Sequence, residues 1–177
     1  ILDEAALHGI ALTREGAILR FVGTTVQKVE NGLRDLGAVL PENWPARFYE
    51  RLYAKLAAGT GLIDGVVDLL DRLDAAGIPY AMGSNGRMAK MSITLGQHPD
   101  VKARFEGRLF SGQDLGCPKP DPALWRLAAD SLGLRPEECA VVDDSPAGVL
   151  GAVRADVPAY GFAEHDDGAR LKALGAT

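Results

Sequence analysis

From residue 61 onward the sequence alternates between helix-like stretches and short apolar runs, and this alternation restricts the fold more than any other feature. The apolar runs that predict strands lie at residues 78–82, 108–111, 139–142 and 158–162. The stretches between them that predict helices cover residues 64–76, 87–96 and 123–132 and the segment that begins at Pro146. Strands that alternate with helices form a parallel sheet covered on both faces. The sequence therefore predicts an α/β fold here.

Capping residues mark where several of these helices begin. Asp64 is the expected cap of the first helix, and Asp121 followed by Pro122 is the expected start of another. The first helix should end at Gly77. Its inward face is expected to be formed by Val66, Leu69, Leu70 and Leu73.

Residues 1–60 show helical spacing and contain no convincing strand. The inward faces are expected to be Val29, Leu33 and Leu36 in one helix and Phe48, Leu52 and Leu56 in another, with Pro41 and Pro45 breaking the chain between them. We therefore predict two domains, a helical one over residues 1–60 and the α/β one over residues 61–177.

Composition and charge exclude several classes of protein. With 47% hydrophobic residues and a net charge of −5, the chain has the make-up of a globular protein and lacks the basic patch of a nucleic-acid binder. No apolar run approaches the roughly 20 residues of a membrane helix, and the first ten residues do not form a signal peptide. Cys117 and Cys139 show no zinc or disulfide pattern, so reduced thiols in a cytoplasmic protein are expected.

Three polar clusters fall at or near the ends of predicted strands, where parallel sheets bind ligands. They are Ser84-Asn85-Gly86, Lys119 in the loop GCPKPDP, and Asp143-Asp144-Ser145. Each has an ordinary structural explanation, respectively a turn, a solvated lysine and a helix cap. However, adjacent carboxylates at the mouth of a buried strand repel each other, so a compensating cation, most simply a divalent ion, is expected between them and a bound phosphate. Together the clusters predict a site for a phosphoryl group and Mg²⁺.

Read in order, these clusters resemble motifs two, three and four of the haloacid-dehalogenase (HAD) superfamily. The stretches GLIDGVVDLLDRLDAAGIP, FEGRLFSGQDL and CAVVDDSPAGVLGA are similar to its subfamily with an inserted helical cap, which includes β-phosphoglucomutase, phosphoglycolate phosphatase and sugar-phosphate phosphatases. The resemblance implies a Rossmann-like parallel core with an α-helical cap. Asp156 stands where the family often has glycine, and aspartate tolerates a left-handed conformation.

The resemblance also implies a role for each cluster in a Mg²⁺-dependent phosphatase. Ser84 would hydrogen-bond the transferred phosphoryl group, with help from the backbone N–H groups of Asn85 and Gly86. Lys119 would offset charge on that group and on the attacking carboxylate. Asp144 would bind Mg²⁺ directly, and Asp143 directly or through water. Phosphoryl transfer depends mostly on positioning and charge neutralisation, and these residue types supply both.

The family's nucleophile motif, DxDGT/V, is absent from the sequence. We expect it in about 15 to 20 residues upstream of Ile1, a strand and its loop. That strand would be the central one of the sheet, flanked by the strands that carry Ser84 and Asp143. Without it, apolar strand edges would be open.

The expected substrate is a small phosphorylated metabolite, a sugar or polyol phosphate by resemblance alone. FVGTT (Phe21–Thr25) resembles a cap loop that faces the substrate, so Thr24 and Thr25 are candidate contacts. Lys55 is another, although a solvated lysine is an equally good explanation. The chain should act as a monomer or weak homodimer.

Two other activities are compatible with these residues. One is a β-phosphoglucomutase-type mutase, and the other is a non-catalytic phosphate-ligand binder, if the nucleophile segment is truly absent. Dehalogenase activity is disfavoured, because haloacid dehalogenases need no metal and lack the DDS carboxylate pair.

Overall fold

The structure is a computed structural model of the chain, and it describes residues 1–21, 24–163 and 168–177. The chain divides into two compact units, Ile1–Lys55 and Leu56–Thr177. Within the described residues, no helix is both long and apolar enough to cross a membrane.

The first unit is entirely helical in its described part. Its helices are α1 (Leu2–Leu7), α2 (Arg14–Phe21), α3 (Val26–Asp35) and α4 (Trp44–Ala57), the last of which extends past the division between the units. The core consists of Ala5, Phe21, Val29, Leu33, Ala38, Leu40, Trp44 and Phe48. Leu36 and Leu52 pack against it, so the two predicted helical faces are largely confirmed.

Pro45 does not break the chain as the sequence predicted. It lies in the first turn of α4, directly after Trp44. The prediction was wrong because the first N–H groups of a helix have no partner inside the helix, so proline is tolerated there. Pro41 precedes the helix, and its carbonyl accepts a hydrogen bond from the Trp44 N–H (3.0 Å).

A buried carboxylate, Glu4, ties α1 to α4. Glu4 is 5% exposed and accepts hydrogen bonds from Trp44 Nε1 (2.8 Å) and from Arg51 Nη2 (2.6 Å) and Nε (3.0 Å). His8 Nε2 lies 3.5 Å from the same carboxylate. Burial is the largest influence on the Glu4 pKa and would raise it, but the bonds from Arg51, Trp44 and His8 together lower it. Glu4 is therefore held as a buried carboxylate.

The second unit alternates helices with strands, as predicted. In chain order its elements are α5 (Val66–Ala75), β1 (Met82–Ser84), α6 (Met88–Leu95), α7 (Pro99–Arg104), β2 (Leu109–Ser111), α8 (Ala123–Ser131), a 3₁₀ turn (Pro136–Glu138), β3 (Val141–Asp143), α9 (Pro146–Arg154), β4 (Ala159–Gly161) and α10 (Ala169–Lys172). The predicted α/β class is confirmed.

The strands form two parallel pairs. β1 pairs with β2, with Ser84 opposite Ser111, and β3 pairs with β4, with Asp143 opposite Gly161. Within the described residues, no ladder joins β1 to β3. Polar side chains therefore stand at the carboxyl end of a strand in each pair, Ser84 in one and Asp143 in the other.

Several details of the second unit differ from the sequence prediction. β1 begins at Met82, where the prediction had a strand over 78–82, because only residues 82–84 find a partner in the short β2. Asp64 is not the cap of α5, since Gly65, in a left-handed conformation (φ 80°), occupies that position. Leu69, which was expected on the inward face of α5, is 49% exposed, and Val142 in β3 is 62% exposed.

The start of α8 also differs from the prediction, because Pro122 and not Asp121 is the capping position. Asp121 Oδ1 still accepts a hydrogen bond from the Ala123 N–H (2.9 Å) at the start of the helix. Asp156 has a positive φ of 64°, the left-handed conformation that aspartate was expected to tolerate. Both cysteines are free, and burial raises the pKa of the Cys117 thiol.

Candidate active site

The loop after β1 presents the Ser84 hydroxyl. Ser84 is the last residue of the strand, and its Oγ accepts a hydrogen bond from the Gly86 N–H (3.0 Å). This bond holds the loop in a tight turn. It leaves the hydroxyl proton of Ser84 available for an acceptor outside the loop. The same bond uses the Gly86 N–H, which was predicted from the sequence to bind phosphate.

The Asn85 side chain holds the lysine loop against the loop after β1. Its Oδ1 accepts a hydrogen bond from the Lys119 N–H (2.6 Å), and its Nδ2 donates to the Lys119 carbonyl (3.1 Å). Gly112, directly after β2, lies close to both: a Cβ there would stand 2.9 Å from Pro118 Cα and 3.2 Å from Asn85 Oδ1. The sequence predicted only that the backbone N–H of Asn85 binds phosphate, and this role of its side chain was missed. A pair of hydrogen bonds to a loop 34 residues away cannot be predicted from a local pattern.

Lys119 in turn reaches the second strand pair. Its Nζ donates a hydrogen bond to Asp143 Oδ2 (2.6 Å), and the side chains of the two residues are only 10% and 6% exposed. Two charges buried to this extent are stable only when they pair with each other and with other hydrogen-bonding groups. A chain of contacts therefore runs from the β1 loop through Asn85 and Lys119 to the end of β3.

Asp143 is further fixed by the start of α9. Its Oδ1 accepts hydrogen bonds from the Ser145 N–H (2.9 Å) and hydroxyl (2.6 Å). Ser145 also caps α9, because its Oγ accepts from the Gly148 N–H (3.0 Å). A Cβ on Gly148 would overlap the Asp143 carboxyl group, so glycine is required there while that carboxylate keeps its position.

Trp125 supports this arrangement, and sequence analysis did not single it out. Lys119 Nζ lies 4.7 Å from the centre of the Trp125 ring, a distance at which the ring stabilises the cation. Trp125 Nε1 also donates to the Gly148 carbonyl (3.1 Å). A Cβ on Gly83 would stand 2.8 Å from Trp125 Cζ3. One feature of the sequence could have identified Trp125: it lies six residues after Lys119, at the start of the next helix.

Asp143 and Asp144 can supply only part of the coordination shell of a hard cation. Asp143 accepts three hydrogen bonds, which leaves room for one more ligand on its oxygens. Asp144 is exposed. No group of three or more His, Cys, Asp or Glu side chains in the described part of the chain forms a metal cluster. Mg²⁺ commonly binds through one or two carboxylates and completes its shell with water and substrate phosphate, so this donor set is compatible with it.

Lys119 changes the expected charge balance of the aspartate pair. The sequence predicted a divalent ion between the Asp143 and Asp144 carboxylates and a bound phosphate. In the structure the Lys119 ammonium bonds directly to Asp143, so one of the two negative charges already has a partner. A cation here would be held mainly by Asp144, with Asp143 as a shared ligand.

The three residues predicted to contact substrate from the helical unit have local partners. The Thr24 hydroxyl donates to the Phe21 carbonyl (2.8 Å), and the Thr25 side chain caps α3 by accepting from the Lys28 N–H (3.4 Å). Lys55 forms an ion pair with Asp3. Val22 and Gly23 of the FVGTT loop lie outside the described residues. A substrate contact for Thr24, Thr25 or Lys55 stays a prediction.

The chain is similar to known hydrolases along most of its length. A model of the haloacid dehalogenase-like hydrolase family matches residues 6–156. Hexitol phosphatase A of Escherichia coli is 37% identical over 60% of this chain and 48% of its own length. The 6-phosphogluconate phosphatase of the same organism is 31% identical over 87% of this chain and 69% of its own length. The chain thus spans about half of the first relative and about two thirds of the second.

A solved structure agrees with these sequence relatives. A HAD family hydrolase from Deinococcus radiodurans, solved with bound phosphate and sodium, superposes with a TM-score of 0.75 at 28% identity. The alignment covers 97% of this chain and 77% of that one. The expected family and fold are therefore confirmed by the family model, the relatives and the superposition. The chain belongs to the haloacid dehalogenase-like hydrolase family.

Proposed function

We propose that this protein is a Mg²⁺-dependent phosphatase that hydrolyses a small phosphomonoester. One observation carries the proposal: hydrogen bonds from the Asn85 side chain and from Lys119 Nζ link the loop after β1 to Asp143 at the end of β3. A hydroxyl donor, an ammonium and two carboxylates at the ends of parallel strands are the groups that phosphoryl transfer needs.

Each side chain has a distinct part in the proposed reaction. The Ser84 proton donates to an oxygen of the phosphoryl group, while the Gly86 N–H fixes the orientation of the Ser84 oxygen. The Lys119 ammonium, held by Asp143 and by the Trp125 ring, offsets negative charge on that group as it transfers. Mg²⁺, bound by Asp144 and Asp143, would supply Lewis-acid stabilisation of a phosphoryl oxygen. The aspartate nucleophile stays a prediction from the family resemblance.

A sugar or polyol phosphate is the substrate class that we propose. The two E. coli relatives are named for a hexitol phosphate and for 6-phosphogluconate, both phosphate esters of six-carbon polyhydroxy compounds. The assignment of the helical unit as a cap, the oligomeric state and the cytoplasmic location stay predictions from the sequence.

Phosphate release by the protein together with the predicted nucleophile segment tests the proposal. The substrates are hexitol phosphates, 6-phosphogluconate and an aryl phosphate, with Mg²⁺ or with a chelator. Release should require Mg²⁺, and Ser84→Ala should lower kcat/KM about 10²- to 10³-fold, because a donor to the charge of the transition state is lost. Ser92→Ala, an exposed serine of α6, is the matched control and should retain full activity.

Three outcomes would contradict the phosphatase. Ser84→Ala could be as active as Ser92→Ala, or activity could persist in chelator. Interconversion of sugar phosphates without net release of phosphate would establish a mutase instead.

A further inference from the structure

A second lysine, Lys90, lies beside the Ser84 loop. It is in the first turn of α6 and is half-buried. Its side chain runs along the backbone of Gly86: a Cβ on that glycine would stand 3.0 Å from Lys90 Cδ, 3.8 Å from Lys90 Nζ and 3.3 Å from Ser84 Oγ. The ammonium and the hydroxyl are therefore both within 4 Å of one point on the loop.

Unlike Lys119, Lys90 has no counter-ion among the residues that the structure describes. Lys119 bonds to Asp143, whereas no acceptor or carboxylate in the described part of the chain lies within bonding distance of Lys90 Nζ. The carboxylate that approaches the start of α6, Asp114, instead accepts a hydrogen bond from the Met88 N–H (2.7 Å). A cation that has no carboxylate within bonding distance attracts an anion by charge, so an anion beside Lys90 Nζ would be stabilised.

One phosphoryl group can reach both donors. Hydrogen bonds from ammonium or hydroxyl groups to ionised oxygens span about 2.5–2.9 Å. Since Ser84 Oγ and Lys90 Nζ both lie within 4 Å of the same point, they are near enough for one phosphoryl group beside them to accept from the hydroxyl through one oxygen and from the ammonium through another. Glycine at position 86 keeps this space free of a side chain.

We propose that Lys90 is a second phosphate-binding cation, which contacts the phosphoryl group of the substrate from the side of α6. This inference rests on the proposed function, and it adds a binding residue outside the three clusters that the sequence identified. Lys90 would bind the phosphoryl group in the ground state and the transition state alike. Its loss should therefore raise KM and the Kd of phosphate more than it lowers kcat.

Titration calorimetry of the full chain with inorganic phosphate tests the proposal. Lys90→Met retains the length and packing of the side chain and removes its charge, and it should weaken phosphate binding about 10- to 100-fold. Lys172→Met, an exposed lysine of α10, is the matched control and should bind phosphate like the unaltered protein. Ser84→Ala removes the proposed hydroxyl donor and so tests whether phosphate binds at the proposed site.

Acetylation of the unaltered protein provides a readout that does not depend on a variant. Phosphate should slow acetylation of Lys90, as measured by mass spectrometry, and should leave the exposed Lys172 unaffected. If Ser84→Ala weakens phosphate binding while Lys90→Met does not, and Lys90 is not protected, the role of Lys90 is refuted and the phosphatase stands. If the unaltered protein neither binds phosphate nor hydrolyses any ester, the proposed function fails and this inference fails with it.

Discussion

At the scale of single residues, Asp143 shows how tightly neighbouring groups hold one side chain of the site. Its two oxygens accept bonds from Lys119 and from the backbone and hydroxyl of Ser145, and Gly148 packs against its carboxyl carbon. The positions of Ser84, Lys119 and Asp143 near strand ends could be predicted, because parallel strands bring their carboxyl ends together. The Asn85 and Trp125 contacts could not, because each joins segments more than 20 residues apart.

A methyl group at Gly148 should disable the site and lower the free energy of unfolding. The new Cβ of Gly148→Ala would overlap the Asp143 carboxyl group and displace it from Lys119, which separates a buried ion pair. Misplacement by about 1 Å can lower activity 10²-fold, so kcat/KM of the folded variant should fall about that much, with circular dichroism used to measure the folded fraction. Gly61→Ala, where a Cβ has no neighbour within 4 Å, is the control. Equal activity of the two variants would contradict the role of Asp143.

At the scale of whole elements, the sequence predicted helices better than strands. The spacing of Val29 and Leu33 fixed the buried face of α3, because helical periodicity is local. β1 began later than its apolar run, because strand limits depend on a partner elsewhere in the chain. Pro45 was misread because its effect depends on whether it falls inside a helix or at the start of one.

Substitutions at Thr25 can separate its capping role from its predicted contact with substrate. Thr25→Ala removes the side-chain acceptor at the start of α3 and should lower the free energy of unfolding by about 1 kcal/mol, whereas Thr25→Ser retains the oxygen and should be near neutral. Chemical denaturation measures the free energy of unfolding. KM for the best substrate tests whether Thr25 contacts that substrate. If both variants leave stability unchanged, the cap is unimportant. If KM of Thr25→Ala equals that of the unaltered protein, Thr25 is not a substrate contact.

On the scale of the whole molecule, the two units are stabilised by different means. The helical unit places an ion network centred on Glu4 within an apolar core, and the α/β unit buries the Lys119–Asp143 pair at its site. The spacing of apolar residues predicted two domains, but it gave no sign of a buried carboxylate in the helical one. Glu4 cannot be singled out from a local pattern, because its partners Trp44 and Arg51 are more than 35 residues away.

Loss of the Glu4 charge should destabilise the helical unit in a pH-dependent way. The folded protein holds the pKa of Glu4 below its ordinary value of 4.5, so its contribution is complete above about pH 4.5 and is lost as pH falls through the folded-state pKa. Glu4→Gln should lower stability by about 2–3 kcal/mol at neutral pH, because charge-assisted bonds are lost. Glu15→Gln, an exposed glutamate of α2, is the control.

Hydrogen exchange at several pH values locates this effect. Amides of residues 1–55 should exchange faster in Glu4→Gln than in the unaltered protein at pH 7, and the difference should shrink in acid. A difference that is independent of pH would show that the carboxylate charge is not what stabilises this unit.

The proposed reaction requires Ser84 and Lys119 to bind one phosphoryl group at the ends of β1 and β3. Anomalous diffraction from crystals of the protein soaked in tungstate, a heavy analogue of phosphate, locates the bound anion. We expect one strong peak within hydrogen-bonding distance of both Ser84 Oγ and Lys119 Nζ, and its loss in crystals of the Ser84→Ala variant. A strong peak elsewhere on the protein, with none between these two groups at saturating tungstate, would rule out this phosphate site.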